Sequence, residues 1–204
     1  MVWNGTSQST HDIFLSATAW LVEFGHAQQV SKPVGNKSRQ RWQLDPDGKW
    51  KLNVDGSYLP NQVTGGLGGV LRDDIGRFRA AFATPVNNVN TAKHTELMAI
   101  KDGLQLLQFM QVDNVVLETG CLEATYDISN ATHNVTVLGG LIDDIKTILL
   151  SFCSVTISHT PRTCNGVAHR LACIAFEARE NCFCYTRPPN CIADMLQYDC
   201  NHSG

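Results

Sequence analysis

The chain has 204 residues, a formal net charge of −3 at pH 7, and a hydrophobic content of 43%. This length suits one domain with a tail or linker, and the apolar content is sufficient for a buried core. The slightly negative charge argues against a strongly basic nucleic-acid surface, so any nucleic acid must be held in a local groove or through metal ions.

Cysteine placement and the first residues both bear on the cellular compartment. The eight cysteines fall partly in apolar runs, where a reduced cysteine behaves as a small hydrophobe, and they predict no disulfide framework. Met1–Gly5 contains no basic segment followed by a long apolar one, and no run approaches transmembrane length. We therefore expect an intracellular protein, nuclear or cytoplasmic and not secreted, with no membrane partner.

Residues 1–41 are expected to form a peripheral segment and linker. Ile13–Phe24 is apolar enough for a short helix. The polar stretch Gln28–Arg41 carries four basic residues, and we favour a solvated tether over a nucleic-acid-binding arm for it.

Three short strands open the domain, which we expect over residues 42–180. The first, Lys51–Ser57, alternates apolar and polar side chains and presents Asp55 opposite its apolar face. Asp55 could simply belong to a common Asp-Gly turn at the end of the strand. The alternative is that it is a metal-binding carboxylate on a central strand. Glycines in the second strand, 66–72, predict close backbone approach or a bulge. With the third strand, 77–83, the short turns predict an antiparallel meander.

Helices and strands then alternate. Asn90–Met110 has apolar residues at helical spacing, with Glu96 at the edge of the apolar stripe. Asp113–Thr119 is continuously apolar at its centre, as in a strand buried on both faces. The remaining elements are helices at 122–130, 139–150 and 167–179, the last with Asn165 as N-cap, and a fifth strand at 152–159. The order predicts an α/β fold with a mixed five-stranded sheet and helices on both faces.

Residues 181–204 are expected to form a loose C-terminal tail. The tail contains several possible metal ligands: Cys182, Cys184, Cys191, Cys200 and His202. Their spacing lacks the paired two-residue knuckle of structural zinc sites. We therefore favour cysteines that pack within the tail or stay unengaged.

Several segments of the chain resemble the plant-type ribonuclease H-like domain, which is often found beside retroelement reverse transcriptases or derived from them. The matching pieces are Lys51–Ser57, Gly68–Asp73, Glu96–Leu104, Val116–Cys121, His159–Ala172 and a closing Arg187-Pro188-Pro189 with Leu196 and Asp199. Their order and spacing resemble the family over about residues 42–199. The resemblance implies the RNase H-like fold, with the first three strands antiparallel and the strand order 3-2-1-4-5.

The resemblance also implies a chemistry, which is hydrolysis of the RNA strand of an RNA–DNA hybrid by two divalent cations, Mg²⁺ or Mn²⁺. The family's first two carboxylates correspond to Asp55 and Glu96, as catalytic residues and metal ligands. Its fourth position corresponds to His169, for which a surface histidine is the alternative.

Three further residues correspond to positions of nucleic-acid contact in the resemblance, namely Ser57, Arg162 and Asn165. For Arg162 and Asn165 the alternative is that they merely cap and brace the last helix. The implied partner is an RNA–DNA hybrid or other nucleic acid, and we expect a monomer.

Gly120 departs from the family pattern, because it stands where the family places its third acidic ligand. Asp55 and Glu96 supply two negative charges against the four positive charges of two Mg²⁺ ions. A neutral histidine such as His169 is a poor ligand for Mg²⁺. The sequence therefore predicts that metal is bound weakly, if at all, and that turnover is impaired.

Nearby acidic residues are poor substitutes for the missing ligand. Glu118 shares the face of Gly120 but lies about 6.6 Å further back along the strand. Glu123 and Asp127 lie on the following helix and reach the site only after rearrangement. Three functions stay open: a hybrid-specific ribonuclease, a non-catalytic nucleic-acid-binding domain, and a protein-interaction domain derived from a retroelement.

Overall fold

A mixed β-sheet forms the centre of the computed structural model, which describes residues 40–130, 136–178 and 181–200. The strands are β1 (Trp50–Leu59), β2 (Thr64–Arg72), β3 (Phe78–Asn87), β4 (Val115–Thr119), β5 (Val155–His159) and β6 (Cys182–Cys184). The helices are α1 (Ala92–Met110), α2 (Leu122–Ser129), α3 (Gly139–Leu149), α4 (Gly166–Ala178) and α5 (Asn190–Cys200), with a 3₁₀ turn at Arg162–Cys164. The helix predicted at Ile13–Phe24 and most of the predicted linker lie outside the described residues.

The strand order is β5-β4-β1-β2-β3-β6. Strands β1, β2 and β3 pair antiparallel, whereas β4 pairs parallel with β1, and β5 pairs parallel with β4. Parallel pairs require crossover connections, which α1 supplies before β4, and α2 with α3 before β5. The predicted architecture and the predicted order of the first five strands are therefore confirmed.

The prediction of five strands followed by a loose tail is wrong for residues 182–200. Strand β6 extends the sheet by pairing antiparallel with β3, and α5 buries Ile192 and Leu196 in the cluster that includes Leu171 of α4. A strand of three residues is too short for a period of two to be recognised in the sequence.

Helices α1 and α4 both contact the sheet, and glycine controls how closely α4 can approach. Leu52 and Val54 of β1 are fully buried in the same cluster as Leu97, Ile100 and Leu104 of α1. A Cβ atom at Gly66 or Gly68 would collide with the backbone of α4. The close backbone approach predicted from these glycines is thus confirmed.

Over the described ranges, no helix combines the length and apolar character required to cross a bilayer.

Candidate active site

The candidate site lies where the ends of β1 and β4 meet the beginnings of α1 and α4. In the parallel pairing of β1 with β4, Val54 is opposite Thr119, so Asp55 and Gly120 follow at the same end of the sheet. A Cβ atom at Gly56 would collide with the backbone of α1, so glycine permits the approach that carries Glu96 to this end.

Asp55 is held by two side chains from the region of α4. Its Oδ2 lies 2.9 Å from Nδ1 of His169, and its Oδ1 accepts a 3.3 Å hydrogen bond from Nδ2 of Asn165. The same Nδ2 also donates to the carbonyl oxygen of Val54 at 2.9 Å. Because Asp55 is only 8% exposed, these contacts occupy both oxygens of a nearly buried carboxylate.

The His169 ring is polarised by its neighbours. The hydrogen bond with Asp55, followed by one with Cys173, raises the pKa of His169 to about 10. Nε2 of the ring also lies 3.0 Å from Nη2 of Arg162. A guanidinium can only donate, so that bond requires a neutral ring. The Arg162 contact and the raised pKa therefore favour opposite protonation states of the ring, and in both states Nδ1 carries a proton toward Asp55.

Glu96 is half-buried in the second turn of α1. Burial, and then the charge of Asp55, raise the pKa of Glu96 to about 8. Two hydrogen bonds act in the opposite direction, from the Thr119 hydroxyl at 3.0 Å and from the backbone of Gly56. The two carboxyl groups are therefore close enough to interact, and burial together with the charge of Asp55 favours the protonated form of Glu96.

The donor set does not fit a pair of divalent cations as it stands. The raised pKa values of Glu96 and His169 both favour the protonated forms, which lowers the negative charge that this group of side chains can offer to a cation. Hard cations need several anionic oxygens, and here one oxygen of Asp55 is already in contact with Nδ1 of His169 at 2.9 Å. In the described part of the chain, no group of three or more His, Cys, Asp or Glu residues is arranged to hold a metal ion.

Gly120 leaves space where a third carboxylate would complete the set. A Cβ atom at this position would have Oδ1 of Asp55 at 3.9 Å and Nδ2 of Asn165 at 4.0 Å as its nearest neighbours. Both distances are ordinary van der Waals contacts. The site can therefore accept a side chain at Gly120, and that side chain would begin beside Asp55.

The acidic residues considered as substitutes are engaged elsewhere. Glu118 accepts from Nζ of Lys51 at 2.7 Å and from Nδ2 of Asn53 at 2.8 Å. Glu123 and Asp127 both pair with Nζ of Lys93, at 3.7 and 2.6 Å. None of the three supplies the missing ligand in this arrangement.

The three residues proposed for nucleic-acid contact differ in exposure. Ser57 is half-buried, two residues beyond Asp55 on the same face of β1, and Arg162 is exposed on the 3₁₀ turn. Asn165 is only 1% exposed. Asn165 occupies the predicted N-cap position of α4, and its backbone carbonyl accepts from N of His169, but its Oδ1 has no hydrogen-bond partner and so does not cap the helix. Its Nδ2 braces Asp55 instead.

Two residues of the site were not identified from the sequence. Thr119 donates to Glu96, and Sγ of Cys173 lies 3.7 Å from Nε2 of His169. Cys173 follows His169 by four residues in α4, so helical spacing contains a signal for that contact. Thr119 directly precedes Gly120, but only the register of β4 with β1 shows that it faces α1.

Solved ribonuclease H structures share this fold. RNase H1 from the halophilic archaeon Halobacterium salinarum matches with a TM-score of 0.59 and 20% identity, over 64% of this chain and 99% of that chain. The N-terminal RNase H domain of a Mycobacterium tuberculosis protein matches with 0.58 and 20%, over 64% and 94%. LC11-RNase H1 from compost, in complex with an RNA/DNA hybrid, matches with 0.58 and 19%, over 64% and 99%. The chain therefore has the RNase H-like fold.

The family itself follows from the sequence match. The reverse transcriptase-like family matches residues 53–175, which is more than half of the chain. The chain belongs to this RNase H-like family, and the predicted resemblance is confirmed. No curated protein sequence matches the chain.

Proposed function

We propose that this domain binds RNA–DNA hybrids, or nucleic acid of similar shape, and hydrolyses the RNA strand slowly or not at all. Family membership and the fold support the nucleic-acid part, because a structural neighbour binds an RNA/DNA hybrid. Gly120 is the observation that carries the impaired turnover, since it stands beside Asp55 where a third carboxylate fits.

Electrostatics give the physical reason for slow turnover. Divalent-metal hydrolysis of a phosphodiester depends on anionic oxygens that fix the cations on the substrate phosphate. In this chain Nδ1 of His169 lies 2.9 Å from Asp55 and competes with a metal ion for the same carboxylate. Any metal must displace that contact and remove the proton from Glu96, so binding of the metal carries an additional cost in free energy.

The substitution Gly120→Asp tests this proposal directly. We expect it to increase the cleavage rate of a labelled RNA–DNA hybrid in Mg²⁺ or Mn²⁺ by at least about tenfold, which is the scale that even an outer partner of a metal ligand contributes. Gly120→Asn is the matched control, because it adds a side chain of the same shape without the charge. Asp55→Asn should abolish any activity that Gly120→Asp creates.

The opposite pattern would refute the metal argument. If the wild-type chain already cleaves the hybrid at a high rate and Gly120→Asp adds nothing, the two-carboxylate site is sufficient and Gly120 is not a defect.

Binding without cleavage is measured separately. The wild-type chain should shift a labelled hybrid more strongly than duplex DNA, and this affinity should fall as salt is raised. If the hybrid is not bound at low salt, the domain acts as a protein-interaction module instead.

A further inference from the structure

A group of thiols lies at the sheet edge formed by β6, separated from β1 by two strands. Cys182 and Cys184 are alternate residues of β6, so their side chains share one face of the strand. Their Sγ atoms lie 3.8 Å apart. Burial raises the pKa of the Cys184 thiol to about 11, and the neighbouring thiols of Cys182 and Cys191 contribute to this rise. All the cysteines are free.

We propose that Cys182 and Cys184 form a reversible disulfide by exchange with a small-molecule disulfide such as oxidised glutathione. The Sγ atoms must approach by about 1.8 Å to reach the S–S bond length of about 2.05 Å. Residues two apart in a strand have Cα atoms about 6.4–6.8 Å apart, at the upper end of the range that disulfides span.

This geometry indicates a labile bond and not a structural one. A disulfide at the limit of its Cα range is strained, and strained or exposed disulfides are the ones that are readily reduced. Strand β6 can adjust because it has three residues, pairs only with Ala81, Phe82 and Ala83 of β3, and has no further strand beyond it within the described ranges.

The exchange balances in two steps. The exposed Cys182, as thiolate, attacks one sulfur of oxidised glutathione, which forms a mixed disulfide and releases one glutathione thiolate. Cys184 then loses its proton to solvent and attacks the Sγ of Cys182, which expels the second glutathione thiolate. Both leaving thiolates take up protons, so two protein thiols are oxidised and one glutathione disulfide is reduced to two glutathione molecules.

The test equilibrates the full chain in glutathione buffers of increasing oxidised fraction, after treatment with a chelator. Free thiols are then labelled with one alkylating reagent, and thiols released by dithiothreitol are labelled with a second. We expect Cys182 and Cys184 to become protected together, with a loss of two hydrogens from the intact mass and full recovery on reduction. Cys191→Ser should behave as wild type, and Cys182→Ser should leave Cys184 unable to form the intramolecular product.

A matched control separates this site from ordinary thiol oxidation. Cys153 is exposed next to β5, at the opposite edge of the sheet, and should acquire only the glutathione adduct. The proposal fails if Cys182 and Cys184 behave like Cys153, or if the disulfide includes Cys191. It also fails if, before chelation, a co-purified zinc ion protects these thiols from alkylation.

Discussion

Asp55 is engaged from within the protein by Nδ1 of His169 at 2.9 Å, a contact that raises the pKa of the histidine ring. The family resemblance assigned Asp55, Glu96 and His169 to a single site, and the structure brings Asp55 into contact with His169 and close to Glu96. Their protonation could not be read from the sequence, since it depends on burial and on contacts between residues far apart in the chain. Asn165 illustrates the same limit, because the sequence suggests a helix cap and the fold uses its amide to hold Asp55.

The raised pKa of Glu96 predicts a pH-dependent stability. A carboxyl group whose pKa is raised by folding makes its full contribution to the free energy of unfolding at pH values below its ordinary pKa, which is 4.5 for Glu96. This contribution is lost as the pH rises through the folded-state pKa of about 8. His169 acts in the same direction at higher pH, because its pKa is also raised.

The substitution Glu96→Gln should therefore flatten the fall in unfolding free energy between pH 5 and 8. The slope that it removes has an upper limit of about 1.4 kcal/mol per pH unit, the value for one proton. Urea unfolding in metal-free buffer at several pH values measures this slope. Glu177→Gln, an exposed change in α4, is the control. Equal slopes for wild type and Glu96→Gln would show that Glu96 is already ionised in the folded protein.

At the scale of elements, length and periodicity decide what the sequence predicts. Helix α1 has nineteen residues with buried positions at helical spacing, and it was predicted to within two residues. By contrast, β6 has three residues, and α5 has eleven residues, of which Ile192 and Leu196 are buried. Strand β6 is stabilised by pairing with the edge of β3, and α5 is stabilised by packing against α4. These two surfaces exist only in the assembled fold, so the sequence alone does not show them.

Because α5 packs against the domain, substitution of its buried residues should destabilise the protein, whereas the same substitutions in a loose tail would not. Ile192 is fully buried, so Ile192→Ala should lower the unfolding free energy by about 2–5 kcal/mol through lost burial and a residual cavity. Val137→Ala removes apolar atoms at a site that is 97% exposed and should change stability by less than about 0.5 kcal/mol. Chemical denaturation of both variants measures the difference, and an unchanged midpoint for Ile192→Ala would mean that α5 is not docked in solution.

At the scale of the whole molecule, Arg72 links three parts of the chain that are distant in sequence. Its guanidinium lies 4.1 Å from the ring centre of Trp42, and its Nη2 donates to Oδ2 of Asp199 at 2.9 Å. Burial lowers the pKa of Arg72, while Asp199 opposes that shift. Its Nε and Nη1 have no hydrogen-bond partner, so Asp199 supplies most of the polar compensation for a buried cation.

Removal of the Asp199 carboxylate should consequently lower the free energy of unfolding more than removal of one partner of an exposed ion pair. We expect Asp199→Asn to lower the unfolding free energy by about 2–4 kcal/mol, below the full cost of a broken buried pair because Asp199 is 16% exposed. The control is Asp194→Asn, whose pair with Arg170 is exposed to solvent, so this change should lower the unfolding free energy much less than Asp199→Asn. In the double variant Arg72→Met with Asp199→Asn, the buried charge is gone, and much of the stability lost in Asp199→Asn should return. If the double variant is less stable than Asp199→Asn alone, the packing of Arg72 on Trp42 matters more than the compensation of its charge.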